Sequence, residues 1–128
     1  MDIHKADMEV LCEEIFAQVP PFRPEPEPAL VREALELLAA ARRPIIVAGG
    51  GVTASQAEKE LVSLAEKLSI PVATSLNAKT AIPWDHPLAV GVPSLYSRAC
   101  ANKAVCEADL VFWMLDGRIH DMFRDDGE

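Results

Sequence analysis

Apolar and polar residues follow a helical period in the first part of the chain. Residues 4–19 place Met8, Leu11, Cys12, Ile15, Phe16 and Val19 on one side. Asp7, Glu9, Glu13, Glu14 and Gln18 fall on the other, which predicts an amphipathic helix. Its apolar stripe suits either its own domain or a partner chain. Next comes Pro20-Pro21-Phe22-Arg23-Pro24-Glu25-Pro26-Glu27-Pro28. Proline fixes φ and lacks an N–H, so this stretch reads as a stiff, extended linker. A second helix is predicted from Pro28, with Leu30, Val31, Ala34, Leu35, Leu38 and Ala41 as its stripe. Proline suits the first helical position, and Arg42 and Arg43 would complement the dipole at the far end.

At Pro44 the pattern changes to short, continuous apolar runs, the mark of strands buried on both faces. Ile45-Ile46-Val47-Ala48 is the first such run, Ile70-Pro71-Val72-Ala73-Thr74 the second and Asp109-Leu110-Val111-Phe112-Trp113-Met114-Leu115 the third. A helix with Ala57, Leu61, Leu64, Ala65 and Leu68 inward separates the first two. Thr53/Gln56 and Ser55/Glu58 have capping-box spacing at its start. A long connection, residues 75–94, carries a short extended piece at 88–90, and a further helix is predicted over 95–107. Helices alternating with strands predict an α/β domain with a parallel sheet and right-handed crossovers. The chain thus divides into an amphipathic helix (1–19), a linker (20–28), an α/β domain (29–118) and a charged tail (119–128). A sheet of three strands is short. Its edges call for cover by further chain or by a second copy.

Composition narrows the function. In 128 residues the net charge is −8, which disfavours nucleic acid and anionic membrane surfaces as partners. No apolar run approaches the roughly 20 residues of a membrane helix, and the N-terminus has no signal-peptide pattern. Cys12, Cys100 and Cys106 form no CxxC. They are expected as small buried residues in a reducing, cytoplasmic setting.

The candidate chemistry is concentrated after the first strand. Gly49-Gly50-Gly51-Val52-Thr53-Ala54 fits the relaxed dinucleotide pattern G-x-G-x-x-A. Glycines there permit a tight turn and close backbone approach, and a following helix offers free N–H groups to an anion. Gly49, Gly50, Gly51 and Thr53 are therefore the candidate cofactor-binding residues. The ribose-binding acid of that pattern is missing, since Thr74-Ser75 stands in its place, and no Walker phosphate loop is present. The plainer reading is that these glycines let strand and helix pack closely. His4, His86 and His120 have no metal-ligand spacing, and Asp85-His86-Pro87 reads as turn chemistry. Asp116, Asp121, Asp125 and Asp126 lack the order of a calcium loop. No catalytic residue and no metal ligand is assigned.

Four segments occur in order: Arg43 to Gly51, Ile70 to Thr74, Pro83-Trp84-Asp85-His86-Pro87-Leu88-Ala89-Val90-Gly91, and Ala101 to Val111. Together, over residues 28–118, they resemble the central domain of thiamine-diphosphate-dependent enzymes of the acetolactate synthase type. The resemblance implies a Rossmann-like, three-layer domain flanked by two others. Those flanking domains bind thiamine diphosphate and magnesium and supply the catalytic glutamate. Some members hold FAD in the central domain, and in many it is purely structural. Here Asn77-Ala78-Lys79-Thr80-Ala81 keeps only the lysine of a Gly-Lys-Gly, and Val92-Pro93-Ser94 replaces a turn rich in Met, Gly and His. Gly117, Arg118 and Asp121 are retained from a later motif. FAD is accordingly not the leading expectation, and this segment by itself is expected to hold no cofactor. Three readings follow: a structural domain of a carboligase or decarboxylase, a small nucleotide- or anion-binding module, or a self-associating interaction domain.

Overall fold

The computed structural model describes residues 25–94 and 98–114, together with Glu14, which is helical and exposed. The rest of the 4–19 helix, the start of the linker, Cys12, His4, His120 and the charged tail lie outside the described residues.

Helix α1 (Pro28–Ala40) begins at proline, as the sequence predicts. Strand β1 (Pro44–Ala48) runs into a one-turn helix, α2 (Gly50–Ala54), and then into α3 (Glu58–Leu68). Strand β2 (Val72–Thr74) and a 3-10 turn at Leu76–Ala78 lead through an irregular connection to β3 (Ala89–Gly91). Helix α4 (Ala99–Cys106) and β4 (Leu110–Met114) complete the described chain. The extended piece at 88–90 is thus a fourth strand. All strands are parallel, in the order β3-β2-β1-β4. That is the first part of the doubly wound order, in which the chain grows to one side of β1 and then returns to the other.

The side-chain alternation of β1 sorts the core into two layers. Ile46 and Ala48 join Leu38, Val52, Leu61, Ala65, Ile70, Val72, Ala78, Ala81 and Ile82 on one face. Ile45 and Val47 join Ala73 on the other, with Ala104, Val105 and Val111 against them. Residues 45–48 are wholly buried, which accounts for the unbroken apolar run. Burying Val, Leu and Ile side chains stabilises a fold by about 1.5–3 kcal/mol each.

Several expectations are revised. The helical region after the glycines is divided, because Gln56 takes a left-handed conformation (φ 53°) between α2 and α3. Neither start carries a side-chain cap, and the backbone closes the turn instead: Ala57 N–H donates to the Val52 carbonyl at 2.9 Å. In α1 only Leu38 is buried, while Leu30, Val31, Leu35 and Leu37 are exposed. One helix face can meet the sheet, and the other apolar positions point elsewhere. Cys100 and Cys106 are exposed, because α4 turns alanines and Val105 toward the sheet. Arg42 and Arg43 follow the end of α1 and act through their backbone. Their N–H groups donate to the two oxygens of Asp109, at 2.9 and 2.8 Å, and the Asp109 N–H donates to the Arg43 carbonyl at 3.2 Å.

The Asp109 clamp sets β4 beside β1. The bond from Arg43 N–H, then that from Arg42, holds the Asp109 carboxyl below its ordinary range. A carboxyl lowered by folding contributes stability above its unfolded value, and that contribution is lost as pH falls through the folded value. Asp109→Ala is expected to lower the thermal midpoint at pH 7. The gap from the parent should close in acid, below about pH 4, which melting curves across that range would measure.

Candidate functional site

Parallel strands end together, so their carboxyl ends form one rim where ligands of doubly wound sheets bind. Two features of that rim stand out, the glycine turn after β1 and a cleft beyond β2 and β3.

The glycine turn lies at the switch point, between the ends of β1 and β4. Gly49 is buried, and its N–H donates to the Met114 carbonyl at 2.8 Å. Its carbonyl accepts from Val52 N–H at 3.1 Å, and Gly51 accepts from Ser55 N–H at 2.9 Å. Gly49 therefore stitches β1 to β4. Gly50 and Gly51 lie inside α2, and the Thr53 hydroxyl is buried without a hydrogen-bond partner. The four candidate residues sit together, on a helix of a single turn.

The cleft, about 390 Å³, is lined by Thr74, Lys79, Ile82, Trp84, Gly91 and Arg98, with Ala89 and Val92. Thr74 ends β2 and Gly91 ends β3. Lys79 and Trp84 come from the connection between them, and Arg98 stands at the start of α4. Among the described residues that line it, none is acidic. Among the described residues neither Lys79 nor Arg98 forms an ion pair. Two cations on one cleft, without an ion-pair partner among the described residues, create a local field that favours an anion. Trp84 is 82% exposed at the mouth and offers a flat apolar face.

Local backbone geometry builds this wall. Gly91 has φ 93°, a conformation that side chains rarely adopt. A Cβ there would lie 3.1 Å from Arg98 Cδ, so the arginine stem crosses directly over the glycine. Ser94 has φ 128° and is held by Asn102 of α4. Asn102 Oδ1 accepts from Ser94 N–H at 2.8 Å, and Asn102 Nδ2 donates to the Ser94 carbonyl at 3.3 Å. The replaced turn Val92-Pro93-Ser94 is thereby fastened to α4.

His86 lies behind this wall rather than in it. Its Nδ1 accepts from Leu88 N–H at 3.2 Å and its Nε2 lies 3.2 Å from Glu66 Oε1. The turn chemistry at 85–87 is present, with His86 N–H donating to the Pro83 carbonyl at 3.1 Å. Arg98 is the rim residue that sequence reasoning missed. It immediately precedes α4 but lies several residues beyond the end of β3, so its place on the rim follows from the fold rather than from local spacing. Asp116, Gly117, Arg118 and Asp121 lie outside the described residues. Among the described residues no cluster of three His, Cys, Asp or Glu is placed to hold a metal ion. No described helix is long and apolar enough to cross a membrane.

The close fit at the β3 end is testable. Gly91→Ala is expected to destabilise the fold by about 1–2 kcal/mol, the usual cost of a left-handed alanine, and to displace Arg98. Denaturant unfolding of the variant would measure the loss.

Comparison with known proteins matches this architecture to one family. Residues 31–116 match the family described as "Thiamine pyrophosphate enzyme, central domain". A probable acetolactate synthase large subunit of Methanocaldococcus jannaschii is 39% identical over 114 residues, covering 86% of this chain and 19% of that protein. An acetolactate synthase of Mycobacterium bovis is 38% identical over 96 residues, covering 73% of this chain and 16% of its own length. In three dimensions the chain resembles benzoylformate decarboxylase from Polynucleobacter necessarius, with a TM-score of 0.61 and 26% identity. That likeness covers 85% of this chain and 19% of the decarboxylase. The chain spans about a fifth of the length of these relatives, and the shared part is the middle domain. The family match spans most of the chain, and the chain belongs to the thiamine pyrophosphate enzyme central-domain family.

Proposed function

We propose that this segment serves as the scaffold domain of a thiamine-diphosphate-dependent carboligase or decarboxylase and leaves catalysis to other parts of that enzyme. The observation that carries this reading is the surface of α1. Leu30, Leu35 and Leu37 are about half exposed, beside Val31. A helix that sits alone on a sheet does not keep so much apolar surface in water. Flanking domains of the same enzyme, or a second copy, would cover it.

The cofactor chemistry points the same way. Magnesium on a diphosphate is held by oxygen ligands that converge on one point. Among the described residues no three His, Cys, Asp or Glu side chains converge in this way, and no step of that chemistry is assigned to them. The expected outcome is that the purified 128-residue chain shows no turnover of pyruvate with thiamine diphosphate and magnesium. Product formation above background in a clean preparation would sink the scaffold reading.

The cleft supports a second reading, a site for a phosphorylated nucleotide. Lys79 and Arg98 would take the anionic group, and Trp84 would stack on a ring. The turn at Gly49, Gly50, Gly51 and Thr53 stands on the same rim as a candidate contact for the remainder of an extended ligand. FAD, NAD and ADP are the probes. A ligand well above its dissociation constant raises the melting temperature, so a shift at millimolar concentration is expected. The Lys79→Ala/Arg98→Ala double variant should abolish that shift. No shift with any of the three in the parent chain would remove this reading.

A further inference from the structure

The connection from β2 to β3 is unusual for its position. Parallel neighbours are ordinarily joined by a crossover helix. Here the chain makes only the turn at Leu76–Ala78 and otherwise runs irregularly. Ala78, Ala81 and Ile82 anchor it in the core under Leu61 and Ala65 of α3. An irregular segment must still satisfy its polar backbone groups, and at its exit that task falls on one side chain.

His86 is 14% exposed and has both ring nitrogens engaged. A backbone N–H can only donate, so the bond from Leu88 fixes Nδ1 as an acceptor. The ring proton is then on Nε2, where it donates to Glu66 Oε1 of α3. The same residue anchors the exit through its main chain, because its carbonyl accepts from Ala89 N–H at 2.9 Å. The Leu88 carbonyl in turn accepts from Val72 N–H at 2.8 Å, joining β3 to β2. One imidazole thus ties together α3, the connection and the start of β3.

We propose that His86 is a protonation-sensitive latch for the connection that forms the outer wall of the cleft. A second proton on the ring occupies Nδ1 and puts an N–H against the Leu88 N–H. Two donors cannot share that contact, and one must move. The ring stays tethered, because the imidazolium still donates to Glu66 and gains its charge. The turn at 86–88 gives way instead, and with it the first residue of β3. The charged groups around the latch are few. Glu66 contacts the ring. Glu58 and Lys59 line the same groove between α3 and the connection as Glu66, and Asp85 precedes the ring in sequence. The rim residue Trp84 lies between the core anchor Ile82 and the latch, so the mouth of the cleft changes with the protonation state of a residue outside it.

Nuclear magnetic resonance on the full 128-residue chain tests this. Imidazole nitrogen shifts report the state of His86, and hydrogen exchange reports the protection of the Leu88 amide. With His86 neutral the Leu88 amide should be protected. Protection should fall at least tenfold as the ring takes its second proton, and the Trp84 signals should move with the same midpoint. In His86→Asn the short side-chain oxygen can accept from the residue two ahead, and it does not titrate. Leu88 should then stay protected at both pH 5 and pH 8. Equal protection in the two states of the parent chain overturns the latch. So does a change at Leu88 that persists between pH 8 and pH 5 in the asparagine variant. If that variant does not fold, the titration of the parent chain decides alone.

Discussion

Strand β1 is bonded along both edges and covered on both faces, and the other elements take their places from it. It pairs with β2 through Ile46–Ala48 and with β4 through all five of its residues, Pro44–Ala48. Its alternating side chains assign each helix to a layer, because whatever packs on Ile46 and Ala48 is separated from whatever packs on Ile45 and Val47. The glycine turn that follows continues this arrangement. Gly49 leaves β1 with its N–H still bonded to the Met114 carbonyl. The turn that resembles a nucleotide cradle thus has a structural duty of its own.

The rim illustrates a division of labour common in doubly wound folds. The sheet fixes where the strands end, and the segments beyond decide what chemistry is presented. Here those segments carry Lys79, Trp84 and Arg98 on one side and the one-turn helix α2 on the other. Asn102 pins the Ser94 backbone, and the Arg98 stem lies on Gly91. Both make the inner wall stiff. The outer wall is anchored in the core by Ala78, Ala81 and Ile82 and is closed at its exit by one imidazole. The part of that wall nearest the exit therefore depends on a side-chain contact.

The sequence was legible where burial is complete on both faces. Residues 45–48 could be read as a strand because nothing but apolar residues fits there, and 110–114 by its unbroken apolar run, although β4 is only half-buried and Trp113 is exposed. The extended piece at 88–90 was visible only as a fragment, since β3 has three residues and ends in glycine. The break at Gln56 carried no glycine or proline to announce it, and the split of α2 from α3 follows from backbone bonds that any sequence could make. In α1 the helical period was correct but did not say which half of a wide apolar stripe meets the sheet. Contacts between distant residues were beyond reach. Nothing in the spacing of Glu66 and His86, or of Arg42 and Asp109, says that they meet. Family resemblance supplied the sheet's ancestry, while the cations of the cleft emerged only once the strand ends were placed side by side.

The strand order also has a consequence for the chain while it is being made. Among the described strands β1 is the first to be synthesised, and its partner β4 is the last. A ribosome adding ~5–20 residues per second needs several seconds to travel from one to the other. Throughout that interval the wholly apolar run Ile45–Ala48 has one edge unpaired, and an open apolar edge invites pairing with foreign strands. The nascent domain must wait for Asp109 to arrive and close the gap, so the stretch most protected in the finished fold is the one most exposed to misassembly at birth.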